Sequence, residues 1–218
     1  MIEELLLPAV AAEEAFGDPP EAALFPAEEA VIGRAMERRR REFATARACA
    51  RAALARLGQP PVAILPGERG SPGWPPGLVG SITHCAGYRA AAVGRAAQVL
   101  AIGLDAEPDQ PLPDGVLNVI SLAAERAGLA DLARAAPGLN WDRMLFCAKE
   151  TVYKAWFPLT GRWLGFEQAH ITLDPAAGTF TARLLVPGPE IDGRELAGFD
   201  GRWLARDGLI LTAISVAR

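Results

Sequence analysis

The sequence predicts an α+β fold built from two halves of similar plan, residues 1–103 and 104–218. Three observations carry the prediction. Half of the 218 residues are hydrophobic, which supplies a core, and division by roughly 150 residues per domain leaves one large unit or two small ones. Helical periodicity and period-two alternation occupy separate blocks. These blocks run helix, β-hairpin and strand, then helices and β-hairpins once more, and the two series meet near residue 104. No residue-level repeat accompanies this order, so the pseudo-two-fold relation rests on the succession of elements alone.

Taken in order, residues 1–27 hold Pro8, Pro19, Pro20 and Pro26 and predict an irregular lead-in. Residues 27–58 begin with Glu28 and Glu29 and end at Gly58, the polarity a helix prefers. A break near Gly33 divides them into two helices, the second burying Phe43, Ala46, Ala50, Ala53, Leu54 and Leu57. A loop rich in Pro and Gly spans 59–78. Strands over 78–85 and 88–94 join at Ala86-Gly87, and a third covers 98–107. After a linker at 108–115, residues 116–135 read as one helix. Residues 141–157 form a strongly amphipathic helix ended by Pro158. Strands follow over 169–174, 179–186, 201–205 and 209–217, with Arg206-Asp207-Gly208 turning the last hairpin.

Several function classes are excluded. Lys and Arg number 22 against 26 Asp and Glu, a net charge of −4, which argues against a dedicated nucleic-acid binder. Three cysteines without a CxxC pair support neither a disulfide framework nor a structural zinc site, and fit a reducing cytoplasm. The acidic N-terminus lacks the basic start of a secretion signal, and no apolar run reaches the ~20 residues of a membrane helix. A soluble cytoplasmic protein is expected. Only His84 and His170 are present, so a three-His metal site is excluded. No phosphate-binding P-loop or dinucleotide fingerprint appears.

Four groups of residues are candidates for chemistry. Asp105 and Glu107 lie two apart on a strand and point to one face. At ~4 Å and an effective dielectric of ~20 their charges repel by about 4 kcal/mol. Either one is protonated or a cation lies between them, and oxygen-only ligands suit magnesium. An isolated Asp-x-Glu is more often a solvated strand end. Glu150 and Lys154 lie four apart on one helix face, with Lys149 beside them. They read either as a surface ion pair or as a third metal carboxylate with two phosphate-binding ammonium groups. Phe146, Tyr153 and Phe157 close by favour the second reading. His84, near a strand end before a Gly turn, suits a phosphate or a simple turn hydrogen bond. Arg40 and Arg47, seven apart, share a helix face with Arg39 nearby, and Arg69 sits in a Gly-rich loop. Arginine suits bidentate phosphate binding, and a solvated face is the bland alternative. Together these groups describe a site for a magnesium-bound, polyphosphorylated small molecule.

The stretches RRREFATARACAR, GLVGSITHCAGYRAAAV, IGLDAEP and LFCAKETVYKAWFPLT, spread over residues 38 to 165, resemble the 4′-phosphopantetheinyl transferases of the surfactin/enterobactin type, the actinobacterial members above all. The family's mark, Gly-x-Asp followed by Lys-Glu-x-x-x-Lys, reads here as Gly103-Leu104-Asp105 and Lys149 to Lys154. The resemblance implies a monomer of two α+β halves with coenzyme A in the cleft between them. It implies magnesium, or manganese in its place, on Asp105, Glu107 and Glu150. It implies coenzyme A on Arg39, Arg47, Arg69, Thr83, His84, Asp105, Lys149 and Lys154, with His84 and the arginines toward the 3′-phosphate. The implied reaction moves phosphopantetheine to a serine of apo acyl or peptidyl carrier proteins of polyketide, nonribosomal peptide or siderophore assembly. Asp105, Glu150 and Lys154 would carry the catalytic step. Two other readings are a coenzyme A-binding regulator without turnover and an RNA-associated protein using the Arg run. All three carboxylates are present, against the first, and the negative net charge weighs against the second.

Overall fold

A computed structural model describes all 218 residues. Its elements run β1 (Val10–Phe16), α1 (Pro26–Ile32), α2 (Glu37–Arg56), β2 (Leu78–Cys85), β3 (Tyr88–Arg95) and β4 (Val99–Pro108). There follow α3 (Val116–Ile120), α4 (Ala123–Ala135), α5 (Trp141–Thr160), β5 (Ala169–Asp174) and β6 (Thr179–Leu184). The chain ends with β7 (Glu190–Ile191), β8 (Arg194–Glu195), β9 (Gly198–Arg206) and β10 (Leu209–Ala217). No helix is long and apolar enough to cross a membrane.

Two antiparallel sheets are stacked face to face. One has the order β1-β3-β2, the other β4-β10-β9-β6-β5. Alternation along each strand decides what it buries. Tyr88, Ala90 and Ala92 of β3 face inward and meet Ile102, Leu104 and Ala106 of β4 and Leu209, Leu211 and Ala213 of β10. Ala91 and Val93 face outward and take the α2 residues Cys49, Ala50, Ala53 and Leu54. On the far side Ala101, Ile210 and Ile214 face α5 through Leu145, Ala148, Val152 and Ala155. The result is four layers, helix, sheet, sheet, helix. In each half the first strand pairs antiparallel with the last, β1 with β3 and β4 with β10, and a 20-residue helix covers the outer face. The two-half α+β plan is therefore present in the backbone. Residue 104 lies within β4, whose ladder is with β10.

The halves meet along a seam between β2 and β4. These strands run side by side without a backbone ladder. The Leu104 N–H donates to Ser81 Oγ at 3.1 Å, and the Ala106 N–H donates to Thr83 Oγ1 at 3.0 Å. Two hydroxyls thus replace strand pairing.

Several local expectations change. Residues 10–16 are a strand, not an irregular lead-in. Its Ala- and Glu-rich sequence has weak strand preference, and the strand exists because β3 pairs with it. Residues 116–135 are two helices, because Ser121 and Leu122 are extended and Glu125 caps α4 by accepting the Leu122 N–H at 2.7 Å. Helix α5 continues through Pro158 to Thr160 and stops at Gly161, which is left-handed with φ 62°. Near a helix end the missing N–H of Pro158 costs one hydrogen bond only. The hairpin at Asp207-Gly208 forms as expected, both residues at positive φ.

Gly103 shows why β4 carries a glycine two residues before Asp105. A Cβ there would lie 2.2 Å from the Thr151 carbonyl oxygen and 3.0 Å from the Ala155 nitrogen. Backbone meets backbone at this crossing, and neither side can yield. Gly103→Ala is expected to destabilise the protein by about 3 kcal/mol, as an overpacked core does. Urea denaturation measures it, and an unchanged midpoint would refute the close-contact account.

Candidate functional site

The cleft lies where α2, the loop around Arg69 and the end of β2 face α5. It encloses a cavity of about 460 Å³. From the first half Arg39, Phe43 and Arg47 line it at i, i+4 and i+8 on α2, with Arg69 on its loop and His84 at the end of β2. From the second half come Glu150, Tyr153 and Lys154. Asp105, Glu107, Thr83 and Lys149 are not among the lining residues, and Asp105 adjoins the cavity through its ion pair with Lys154.

Arg47 is 7% exposed. Its Nε donates to the Ile64 carbonyl at 3.2 Å, and its guanidinium sits 3.6 Å over the Phe43 ring. Burial, opposed by Glu28 and reinforced by Arg39 and Arg51, lowers its pKa to about 10. It stays cationic at neutral pH and has no carboxylate in hydrogen-bond contact. A buried cation so placed is a site for an anion. Arg40, expected on the same face, turns away and donates to the Gly33 carbonyl at 3.3 Å.

His84 receives a hydrogen bond from Arg39 at 2.7 Å on Nε2. A guanidinium only donates, so Nε2 is the acceptor and the ring is neutral. Withdrawal from water first, then Arg39 and Lys154, push its pKa down to about 4. Arg69 stands at positive φ (52°), with its guanidinium 5.3 Å from the centre of the Trp163 ring.

Asp105 is 5% exposed. Its Oδ1 accepts from Lys154 Nζ at 2.7 Å and from Thr83 Oγ1 at 3.3 Å. Its Oδ2 is buried without any partner. Burial opposes the charge on Lys154, but Asp105 and Glu150 outweigh it and hold the ammonium above the ordinary lysine value. Glu150 titrates above the ordinary carboxylate value because of burial and then the Asp105 charge. Glu107 is raised for the same two reasons, against the pull of Arg143, whose Nη1 donates to Glu107 Oε2 at 2.9 Å. The three carboxylates do not converge on one point as a preformed metal cluster. They nonetheless suit a divalent cation. The donor set is all oxygen, Asp105 Oδ2 is a buried acceptor lacking a partner, and burial followed by the Asp105 charge raises Glu107 and Glu150.

Two expected ligand contacts take other roles. Lys149 points away from the phosphate side. Its ammonium donates to the carbonyls of Phe166 at 2.6 Å and Ala169 at 2.9 Å, and pairs with Glu125 at 2.9 Å. Three acceptors use all three donors, so none is left for a phosphate. The Thr83 side chain is 1% exposed, and its hydroxyl is taken by Ala106 and Asp105. It positions a carboxylate rather than touching the cavity.

The sequence reading missed Arg143, Glu125 and Trp163. Arg143 precedes Glu150 by seven residues and so shares its helix face, a signal that was present. A second cavity of about 400 Å³ lies beyond Glu150, Tyr153 and Arg69, lined by Val152, Trp163, Leu164 and Phe166. The Tyr153 hydroxyl, on the wall common to both cavities, is buried without a partner.

Two outcomes test these assignments. Lys149→Met leaves Glu125 charged and buried, and is expected to destabilise by about 3–5 kcal/mol. Calorimetry of pyrophosphate binding should show no loss of affinity in the folded variant, whereas a phosphate-binding lysine would show one. An NMR titration should place His84 near pH 4. Between that value and the ordinary 6.5 the unfolded chain holds the proton and the folded chain does not. Stability therefore falls as pH drops through this window, and His84→Gln should flatten that part of the curve.

Comparison with known proteins agrees over almost the whole chain. A family model of the 4′-phosphopantetheinyl transferase N-terminal domain matches residues 27–94, and one of the 4′-phosphopantetheinyl transferase superfamily matches residues 101–195. The chain is 58% identical over 220 residues to the 4′-phosphopantetheinyl transferase Svp of Streptomyces mobaraensis, covering 100% of this chain and 89% of that protein. It is 54% identical to Npt of Nocardia iowensis, with 100% of both chains covered. It is 53% identical to PptT of Mycobacterium tuberculosis, with 92% of this chain and 89% of that protein covered. With both halves matched and full-length relatives at this identity, the chain belongs to the 4′-phosphopantetheinyl transferase superfamily.

Proposed function

We propose that this protein moves the phosphopantetheine arm of coenzyme A to a serine of an apo acyl or peptidyl carrier protein, with magnesium, and releases adenosine 3′,5′-bisphosphate. The observation that carries the reading is one cavity lined by a buried Arg47 with no carboxylate partner and by Lys154, whose ion-pair partner Asp105 keeps its second carboxylate oxygen without a partner. One side lacks an anion and the other lacks a cation. A magnesium-bound polyphosphate supplies both.

Asp105, Glu107 and Glu150 would hold the metal, which when bound draws charge from the pyrophosphate oxygens. Arg47, Arg39 and His84 would take the 3′-phosphate. A bound dianion would offset the positive charge of Arg39 and Lys154 that lowers the His84 pKa, and so would favour its protonation. The serine oxygen attacks the phosphorus on the pantetheine side, and the bond from that phosphorus to the bridging oxygen breaks. Glu150, raised by burial, accepts the serine proton directly or through water. Lys154, held protonated by Asp105 and Glu150, stabilises the charge left on the departing phosphate rather than giving up its proton early. The second cavity, where Val152, Trp163, Leu164 and Phe166 lie beside the ion-paired Lys149, would take the uncharged arm. Each half contributes half of the cleft, so a monomer is sufficient, and the cytoplasm supplies both substrates. Carriers of polyketide, nonribosomal peptide or siderophore assembly are the expected acceptors.

Purified protein mixed with coenzyme A, magnesium and an apo carrier should add the mass of one phosphopantetheine to the carrier, read by intact-mass spectrometry. EDTA and Asp105→Ala should abolish the gain. Glu150→Gln should lower kcat by about 10²–10⁴-fold, the usual contribution of a general base. Coenzyme A binding without any gain on several unrelated carriers would instead support a regulator without turnover.

A further inference from the structure

Arg143 stands outside the family's identifying motif, yet its side chain is fully engaged beside β4. It lies in the first turn of α5, where one guanidinium makes three contacts in three directions. Nη1 donates to Glu107 Oε2 at 2.9 Å, Nε to the Gln110 carbonyl at 3.0 Å and Nη2 to the Pro111 carbonyl at 3.0 Å. Neighbouring residues fasten the same stretch. Asp142 accepts the Leu112 N–H at 2.9 Å, and Asp109 accepts both the backbone and the side-chain N–H of Asn140. The chain that leaves β4 is thereby tied to the start of the helix that carries Glu150.

We propose that Arg143 is the positioning residue for Glu107, holding Oε2 so that Oε1 is presented to a divalent cation beside Asp105. This rests on the magnesium reading above. A carboxylate that binds a metal through one oxygen is oriented by a hydrogen bond to the other, and such partners matter nearly as much as the ligands. Glu107 Oε1 makes no hydrogen bond, and the side chain is 20% exposed, so one oxygen is held and one is open. Lys154 and Thr83 hold Asp105 Oδ1 in the same manner and leave Oδ2 without a partner. Both carboxylates of β4 are therefore gripped by one oxygen. Lysine cannot replace Arg143, because an ammonium lacks the rigid planar fork that reaches three separate acceptors.

The test is Mn²⁺ binding followed by electron paramagnetic resonance, with coenzyme A present and no carrier, so that nothing turns over. Arg143→Gln and Arg143→Lys should each weaken Mn²⁺ binding by about 10–100-fold, the usual cost of losing such a partner. Coenzyme A affinity without metal should not change. Asp142→Asn loosens the linker but leaves the guanidinium contact with Glu107 in place, and should leave Mn²⁺ affinity as in the unaltered protein. In the Glu107→Gln background, Arg143→Gln should have no further effect. Folded Arg143 variants that bind Mn²⁺ as well as the unaltered protein, or better, would overturn the proposal and make Arg143 a linker staple. An unaltered protein that binds coenzyme A but no Mn²⁺ would overturn the metal reading itself, and this inference with it.

Discussion

At Gly103 the backbones of β4 and α5 approach so closely that a single methyl group would overlap the Thr151 carbonyl. This contact sets the distance between the two elements of the second half that carry its chemistry. Asp105 follows two residues later on the same face of β4, and Glu150 and Lys154 flank Thr151 on α5. The 2.7 Å bond from Lys154 to Asp105 is available only because the scaffold beneath it is this tight. A bulkier residue at 103 would push the helix outward and separate Lys154 from Asp105. The seam acts from the other side. Ser81 and Thr83 bind β4 by hydroxyls, so β2 ends beside Asp105 and delivers His84 to the cleft.

Electrostatics in the cleft follow from that geometry. On the first half Arg39, Arg47 and His84 line one cavity, and burial first, then the Arg39 charge, pushes the His84 pKa to about 4. On the second half, Asp105, Glu107 and Glu150 crowd together, and two of the three are raised. In each group burial is the larger cause and like charge adds to it, and a ligand of the opposite sign would offset the second. Lys154 alone bridges them, a cation on the carboxylate side facing the cavity. Under the proposed function, these two charge groups would favour a ligand that is both polyanionic and metal-bound. This is preorganised charge of the kind that stabilises phosphoryl transfer, fixed before substrate arrives.

Much of this was legible in the residues, and the exceptions have physical causes. Helix α2, the hairpin at Ala86-Gly87 and the Asp207-Gly208 turn are local events, set by periodicity and positive-φ residues. Strand β1 was not legible, because Ala and Glu become a strand only when β3 offers a ladder. The break at Ser121 was hidden because its cause, the Glu125 side chain capping a new helix, looks like an ordinary helical glutamate. Arg40 and Arg47 lie near one another on a helical projection, but a long side chain takes the acceptor within reach. For Arg40 that is the Gly33 carbonyl, and the cavity takes Arg39 instead. The spacing of Arg143 from Glu150 placed it on the right helix face, but two of its three acceptors are backbone carbonyls of a linker, which carry no sequence signature.

The Lys-Glu-x-x-x-Lys motif shows how far helix geometry alone can separate roles. At about 100° per residue, Glu150 and Lys154 are displaced by about 40°, whereas Lys149 and Lys154 are displaced by about 140°. Two lysines so far apart cannot both face one ligand. One must point into the protein's own second half, and burial requires that it find acceptors there. Lys149 does so on Glu125, Phe166 and Ala169, while the other oxygen of Glu125 takes the Ile171 N–H of the edge strand β5 at 2.7 Å. One face of the motif therefore locks α5 to α4 and to the sheet edge, and the other face holds the charges of the cleft. The second role depends on the first, because Glu150 and Lys154 can only be aimed by a helix that is prevented from rotating about its own axis.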